Sequence, residues 1–316
     1  MYRDQLIATH DRIRPFIHHT PVLTSTLINE MVGAEFYFKC ENFQKMGAFK
    51  MRGATNAILQ LSEEKRSRGV VTHSSGNHGQ ALALAARSLG VKAFIVMPSN
   101  APQVKKDAVS SYGGIIIECE ATLEARDAAA AKIASDSDAT FIHPSNDLEV
   151  ILGQGTSAKE LLEEYPNLNA IFAPVGGGGL IAGTALAAEY FGADCKVYGG
   201  EPVEADDAYR SLKSGKIETN ARANTIADGL RTNLGDQNFP IIQRGVERII
   251  RVSENEIVDA MRLIWTRLKI VCEPSCAVPL AALIKVKEEF QGQKVGIIIT
   301  GGNVDLDHLP FGKTDN

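Results

Sequence analysis

Hydrophobic and polar residues follow two alternating patterns along the chain. Short runs rich in Val, Ile and other apolar residues predict strands at residues 69–72, 93–97, 114–118, 140–143, 170–175, 196–199 and 295–300. Because most of these runs are apolar without alternation, they indicate strands that are buried on both faces. Strands of a parallel sheet covered by helices have this character.

Longer segments between these runs carry apolar residues at helical spacing. They predict helices over residues 49–61, 80–89, 101–112, 123–135, 155–164 and 180–190. Ser253-Glu254-Asn255-Glu256 is a capping box, which predicts a further helix extending to about residue 268. This alternation of strands and helices is typical of an α/β protein with mostly parallel sheets.

The length of 316 residues is sufficient for two lobes, each with its own core. Residues 69–146 hold four of the predicted strands, enough for a small sheet of their own. No repeat, low-complexity tract or long linker marks the borders of this block. Its limits are therefore placed by topology alone.

Composition excludes several classes of protein. The formal net charge of -5 argues against nucleic-acid binding. No apolar run has the length of a membrane span, and the first residues do not form a signal peptide. The five cysteines are scattered without zinc-ligand or disulfide-framework spacing, which predicts reduced thiols in a cytoplasmic protein.

Lys50 is the first candidate for chemistry. It follows Phe49 and lies in the first turn of the helix predicted after Gly47. The positive end of the helix dipole disfavours an ammonium group there and favours a neutral amine. Such an amine suits a lysine that forms an imine and later acts as a base. A solvated helix lysine is the alternative interpretation.

The second candidate is the turn Ser74-Ser75-Gly76-Asn77-His78-Gly79, which lies between a predicted strand and the helix predicted after it. Backbone N–H groups at such a helix start form an anion site that suits a carboxylate. Ser75 and Asn77 add a hydroxyl and an amide. A capped polar turn without a ligand is the alternative.

The third candidate is the loop Gly176-Gly177-Gly178-Gly179 between a strand and a helix. Glycine lets the backbone approach a phosphate closely, and the helix start adds free N–H groups. The same segment also satisfies the dinucleotide fingerprint as Gly177-x-Gly179-x-x-Ala182, with Glu201 near the expected acidic position. An NAD-dependent oxidoreductase is therefore an alternative from another class.

Two further segments carry polar chemistry. Thr300 ends a predicted strand before Gly301-Gly302-Asn303, where its hydroxyl could bond a heteroaromatic nitrogen without protonating it. The segment 201–207 packs four carboxylates into seven residues, and its hard oxygen ligands suit Mg²⁺ or Ca²⁺. The alternatives are a simple glycine turn and the acidic start of the next helix.

The ordered segments 47–53, 74–79, 176–179 and 300–303 together resemble a known family. They are similar to fold-type II pyridoxal-phosphate enzymes, in the branch of serine/threonine dehydratases and serine racemases, over about residues 15–308. The resemblance implies the tryptophan synthase β-like fold, with two open, twisted, mostly parallel sheets flanked by helices. It also implies a large cofactor-binding domain at 1–68 and 147–316, and a small mobile domain at 69–146.

The resemblance also implies roles for individual residues. Lys50 would be the Schiff-base lysine with Phe49 packed on the cofactor ring, and Ser75 a second acid or base on the opposite face. The remaining cofactor contacts would be Asn77 to the ring hydroxyl, Thr300 to the ring nitrogen, and Gly176, Gly177, Gly178 and Gly179 to the phosphate. The substrate carboxylate would be bound by Ser74, Ser75, Gly76, Asn77 and His78, and Mg²⁺, Ca²⁺ or Mn²⁺ by Glu201, the Ala205 carbonyl and Asp207.

Three features depart from the family pattern. Met46 stands where nucleotide-activated racemases tend to have threonine, which argues against ATP activation. Cys276 replaces a residue that is usually smaller. The chain ends soon after Asp305, without room for the regulatory domain of biosynthetic threonine dehydratases, so we expect no feedback inhibition by isoleucine.

The expected activity is that of an ammonia-lyase acting on L-serine or L-threonine, with products 2-oxo acid and ammonia. Serine racemisation could share the site, either as a second activity or as the main one. L-threo-3-hydroxyaspartate is a third candidate substrate, which would require an additional cation such as Arg126. The family also suggests a homodimer with no nucleic-acid or membrane partner.

Overall fold

The computed structural model describes residues 2–311. Its strands are β1 Val22–Leu23, β2 Glu35–Cys40, β3 Val70–His73, β4 Ala93–Pro98, β5 Ile115–Cys119, β6 Thr140–Phe141, β7 Ala170–Pro174, β8 Lys196–Pro202, β9 Val246–Val252 and β10 Lys294–Ile299. Its helices are α1 Tyr2–Ile13, α2 Thr26–Val32, α3 Lys50–Gln60, α4 Glu63–Arg68, α5 Asn77–Ser88, α6 Gln103–Ser111, α7 Leu123–Ser137, α8 Leu148–Glu164, α9 Gly179–Phe191, α10 Asp207–Ser214, α11 Phe239–Gly245, α12 Glu254–Leu263 and α13 Pro274–Lys285.

The strands form two separate sheets. The large sheet has the order β1-β2-β10-β7-β8-β9, and only its β1–β2 pair is antiparallel. The small sheet has the order β5-β4-β3-β6 and is parallel throughout. The predicted α/β fold with two mostly parallel sheets is therefore confirmed. The small sheet lies within residues 69–146, while the mobility of that block stays a prediction.

Helices cover both faces of the large sheet. One apolar cluster packs α12 and α13 against it, and a second packs α8 and α9 against the other face. Every residue of β7 is consequently buried, as its uninterrupted apolar sequence indicated. Among the residues that the structure describes, no helix is both long and apolar enough to cross a membrane.

All seven predicted strands are present, but three others were not predicted. The strand β1 has only two residues, whereas β2 and β9 carry charged residues that interrupt their apolar pattern. Lys39 in β2 is nevertheless completely buried. Helix α8 also begins at Leu148 rather than at 155, since Asp147 caps it with its carboxylate. The glycines at 153 and 155 had weakened the helical pattern there.

Helix α8 is packed very closely between α3 and α9. A Cβ atom at Gly153 would lie 2.5 Å from the Cα of Gly53 in α3. A Cβ atom at Gly155 would lie 2.7 Å from the carbonyl oxygen of Gly183 in α9. Glycine is required at these positions because any side chain would force the helices apart. The helix that begins at Lys50 and the helix that follows the glycine loop are thus fixed against one common helix.

A buried ionic cluster ties α3 to α8 and β2. Arg52 donates to both carboxylate oxygens of Glu41 at 2.7 and 2.8 Å and to both oxygens of Glu160 at 2.7 and 2.8 Å. Lys39 Nζ lies 2.7 Å from Glu160 as well. Burial alone would raise the pKa of the Glu160 carboxyl, but Arg52, His10 and Lys39 together outweigh it and lower that pKa. We name Lys39, Glu41, Arg52 and Glu160 the ionic core.

We expect Arg52→Met to destabilise the protein by about 3–5 kcal/mol, because it leaves buried carboxylates without their partner. Urea unfolding followed by circular dichroism measures this change. The matched control is Arg244→Ala, which removes an exposed ion pair with Glu189 and should cost at most about 1 kcal/mol. Equal effects of the two substitutions would contradict a structural role for the ionic core.

Candidate active site

The loop before α3 is held against the end of β10. Phe49 N donates to the Thr300 carbonyl oxygen at 2.9 Å, and Gly302 N donates to the Gly47 carbonyl oxygen at 2.9 Å. Ala48 and Gly301 form an isolated antiparallel bridge between the two segments. Lys50 is the first residue of α3, so its predicted place in the first helical turn is confirmed. Two motifs that are distant in sequence, around Lys50 and Thr300, are therefore adjacent.

The amine of Lys50 lies in an enclosed position. Its Nζ donates to the Pro144 carbonyl oxygen at 2.7 Å and lies 5.1 Å from the ring centroid of Phe49. Burial lowers the pKa of Lys50 from 10.5 to about 8, while the carboxylate of Glu273 acts in the opposite direction. A substantial fraction of this lysine is therefore an uncharged nucleophile at mildly alkaline pH.

The glycine loop approaches Lys50 through the segment that follows Pro144. A Cβ atom at Gly179 would lie 2.9 Å from the Ser145 carbonyl oxygen, and one at Gly177 would collide with the Ser145 hydroxyl. Gly178 has φ 83, a conformation that favours glycine. Helix α9 starts at Gly179, and the N–H groups of its first turn have no acceptor within the helix. These N–H groups and the helix dipole suit a phosphate.

The turn from Ser74 to Gly79 joins β3 to α5. The helix begins at Asn77, three residues earlier than predicted, so Asn77, His78 and Gly79 form its first turn. Ser74 Oγ accepts from Gly76 N at 3.3 Å, and Ser75 is half-buried. Because α5 begins within this turn, the turn lies at a helix N-terminus, which is the geometry that the predicted anion site requires.

Two side chains of this helix start face inwards. Burial and the charge of Lys50 lower the pKa of His78 well below its usual value, so its imidazole is neutral. Asn77 reaches the large-sheet side of the molecule, where it contacts Glu273 and Asn303. The turn from Ser74 to Gly79, the loop before Lys50 and the segment after Thr300 thus meet in one place.

Thr300 is buried beside Cys276, with the hydroxyl oxygen 3.1 Å from the cysteine sulfur. The sulfur also lies 2.7 Å from the Gly301 carbonyl oxygen and accepts from Gly301 N at 2.9 Å. Burial raises the pKa of Cys276 well above its usual value, and the thiol therefore stays neutral. Cys276 is accommodated as a packing and hydrogen-bonding partner of Thr300.

The predicted metal ligands lie between the end of β8 and the start of α10. Glu201 and Asp207 are fully buried, as is Ala205. Burial and the neighbouring Asp207 raise the pKa of Glu201, and burial raises that of Asp207 to about 6. Backbone N–H groups of Ala208 and Tyr209 donate to Glu201. Within residues 2–311, no group of three or more His, Cys, Asp or Glu side chains forms a metal cluster.

Several site residues were missed by the sequence analysis. Asn238 donates to the Gly177 carbonyl oxygen at 2.8 Å and to that of Ser145 at 3.2 Å, so it joins the glycine loop to the segment beside Lys50. Ser145 follows the end of a predicted strand, where a polar residue in a parallel fold is a usable signal. Asn238 and Glu273 have no comparable local signal, since their partners are distant in sequence.

Comparison with known proteins identifies the class. A family model described as "Pyridoxal-phosphate dependent enzyme" matches residues 13–301. The chain is 50% identical to a β-hydroxyaspartate dehydratase of Paracoccus denitrificans over 98% of both chains. It is 52% identical to a serine racemase of Dictyostelium discoideum over 95% of this chain and 94% of that protein.

A solved structure agrees with these sequence relatives. The crystal structure of serine racemase from Dictyostelium discoideum superimposes with a TM-score of 0.92 at 51% identity, covering 96% of this chain and 99% of the other. The chain belongs to the pyridoxal-phosphate-dependent enzymes. The resemblance to the dehydratase and racemase branch is confirmed, and the dinucleotide interpretation of Gly177-x-Gly179-x-x-Ala182 has no support from these relatives.

We expect the rate at which apoprotein combines with pyridoxal phosphate to rise with pH and to level off above about 8. The reason is that only a neutral amine attacks an aldehyde, and burial lowers the pKa of Lys50, the predicted Schiff-base lysine, to about 8. Stopped-flow absorbance measures the appearance of the visible band, corrected for the same reaction of N-acetyl-lysine with pyridoxal phosphate. Lys50→Ala should form no band. A midpoint near the ordinary lysine value of 10.5 would contradict the assignment.

Proposed function

We propose that this protein is a pyridoxal-phosphate-dependent lyase that converts L-serine or L-threonine to a 2-oxo acid and ammonia. Serine racemisation is proposed as a further activity of the same site. The observation that carries the proposal is the buried amine of Lys50, which lies where the glycine loop, the turn from Ser74 to Gly79 and the segment after Thr300 meet. The names of the relatives, a dehydratase and a racemase, support both activities.

The residues present fit the cofactor. The glycine loop is a cradle that Cβ atoms would fill, and the start of α9 suits its phosphate. We propose that Lys50 holds the aldehyde carbon, that Asn77 and Thr300 bond the ring substituents, and that Phe49 flanks the ring. Pyridoxal phosphate, when bound, supplies an electron sink that makes the α-proton of an amino acid acidic.

The protein's own groups then handle the proton and the substrate. The N–H groups and side chains of the segment from Ser74 to His78 would bind the substrate carboxylate at the start of α5. Lys50 Nζ would take the α-proton, since an amine with a pKa near 8 is neutral often enough to act as a base. Ser75 would deliver a proton to the opposite face in the racemisation.

A panel of L-serine, L-threonine and L-threo-3-hydroxyaspartate tests the function, with 2-oxo acid and D-amino acid scored for each. We expect 2-oxo acid from at least one of them. Hydroxyaspartate belongs in the panel because the Paracoccus denitrificans relative is named for it. A holoenzyme that releases neither product from any of the three would contradict the proposal.

The variant Ser75→Ala separates the two activities within this test. We expect D-serine formation to fall by about 100-fold or more, the usual contribution of a general acid or base, while pyruvate formation from L-serine persists in part. Ser74→Ala is the matched control, because it removes a neighbouring hydroxyl of the same turn and should not abolish racemisation selectively. Equal loss of both products in Ser75→Ala would contradict the two-base assignment.

We also propose a divalent-cation site formed by Glu201, the Ala205 carbonyl and Asp207, with Mg²⁺ as the first candidate. Two buried carboxylates support it, and the charge of Asp207 raises the pKa of Glu201, so a cation would compensate their charge. Mg²⁺ keeps several water ligands in protein sites, so two carboxylates and one carbonyl suffice. Its contribution would be structural, since these residues join the end of β8 to the start of α10.

We expect Mg²⁺ at 100 times its dissociation constant to stabilise the chelator-treated protein by about 2.7 kcal/mol. Thermal unfolding with and without Mg²⁺ measures the shift. Asp207→Asn should abolish it, whereas Asp206→Asn should retain it, because Asp206 is engaged by Arg210 and Arg251 instead. An unchanged unfolding temperature of the native protein would contradict the cation site.

A homodimer is proposed on the resemblance and on exposed apolar side chains. Leu27 and Met31, one turn apart on α2, are 53% and 48% exposed. Phe43 and Val271 are 46% exposed each, and Asn42 donates to the Val271 carbonyl oxygen, which brings these two regions together. Exposed apolar side chains of this kind favour association. A cytoplasmic location stays a prediction from composition.

A further inference from the structure

The side-chain amide of Asn77 is held on both sides. Its Nδ2 lies 2.9 and 3.0 Å from the two carboxylate oxygens of Glu273, and its Oδ1 accepts from Nδ2 of Asn303 at 2.8 Å. A carboxylate can only accept hydrogen bonds, and an amide nitrogen can only donate them. The two neighbours therefore prescribe which end of the Asn77 amide carries the N–H groups.

The orientation of Asn303 is fixed independently. Its Nδ2 also donates to the Met46 carbonyl oxygen at 2.9 Å, and a carbonyl cannot donate in return. Met46 and the following Gly47 have φ 56 and 77, so this carbonyl belongs to the turn that leads into Lys50. Asn303 thus connects the loop before Lys50 to Asn77, and it is the donor in both hydrogen bonds.

Glu273 is the hydrogen-bond acceptor on the other side of the Asn77 amide. It is only 4% exposed, and its backbone N–H donates to the Gly301 carbonyl oxygen at 3.1 Å, which fixes the start of α13. Burial raises the pKa of Glu273 to about 7 although the hydrogen bond from Asn77 lowers it. The ionised carboxylate consequently predominates at pH 8.

We propose that Glu273 is a positioning residue that makes Asn77 present an N–H group, rather than its carbonyl oxygen, to the ring hydroxyl of pyridoxal phosphate. The inference rests on the proposed cofactor role of Asn77. Nδ2 carries two hydrogens, so one bond to Glu273 leaves the other for the ring oxygen. A donor at that oxygen would favour its ionised form, and the resulting negative charge would favour a proton on the nitrogen that Lys50 contributes.

The experiment compares absorbance spectra of the wild type and Glu273→Gln at pH 8. Glutamine has nearly the same shape but can donate as well as accept, so Asn77 loses one of the two contacts that prescribe its orientation and keeps only the one with Asn303. We expect the ratio of the visible band to the near-ultraviolet band to fall about fivefold, the change that one hydrogen bond of typical strength produces. Total cofactor released by alkali is measured in parallel, because a merely structural role would lower cofactor content without changing this ratio.

A second variant and a control complete the test. Asn303→Asp replaces the donor at Asn77 Oδ1 with an acceptor and should shift the ratio in the same direction, which keeps the test valid if Glu273→Gln does not fold. Glu189→Gln makes the same substitution at an ion-paired surface carboxylate and should leave the spectrum unchanged. Wild-type protein without a visible band would contradict the cofactor proposal itself. A wild-type band with an unchanged ratio in the folded variants would overturn the role of Glu273 alone.

Discussion

The position of the active site depends on one buried guanidinium group. Arg52 lies two residues after Lys50 in the same helix and bonds four carboxylate oxygens, two from Glu41 and two from Glu160. Burying such charges is costly, and the cost is compensated only when the geometry of the cluster is satisfied as a whole. The first turn of α3, and with it the lysine, is therefore fixed relative to β2 and α8.

The glycine contacts of α8 extend this constraint to the glycine loop before α9. Gly53 and Gly183 bring α3 and α9 onto the same helix, so Lys50 at one helix start and the glycine loop at the other keep a constant separation. The turn from Ser74 to Gly79 is attached differently. Apart from its packing, Asn77 joins it to Glu273 and Asn303 through hydrogen bonds, and such polar contacts are exchanged for water more readily than a close-packed core. The turn from Ser74 to Gly79 is therefore held partly by polar contacts, whereas α3 and α9 are held against α8 by close contacts at glycines.

Much of the fold could be predicted because buried parallel strands such as β7 are apolar throughout. The strand β2 could not, since the buried Lys39 appears as a polar interruption until its partner Glu160 is known. The same limit applies to the site. Lys50, Gly176–Gly179 and Thr300 each lie beside a recognisable strand or helix boundary, whereas Glu273 and Asn238 act on residues far away in the chain. A single sequence does not show which distant residues meet.

The two ends of the site differ in charge, and this difference bears on the chemistry. Thr300 is surrounded by a neutral thiol and backbone groups of Gly301, whereas Asn77 is backed by the carboxyl group of Glu273. If Thr300 bonds the ring nitrogen, a neutral hydroxyl there leaves that nitrogen unprotonated and the electron sink moderate. A thiolate at Cys276 would draw a proton towards the same region, but burial keeps the thiol neutral. A moderate electron sink suffices when a β-hydroxyl leaves or the α-carbon is reprotonated at once. The names of the two relatives, a dehydratase and a racemase, denote these two reactions.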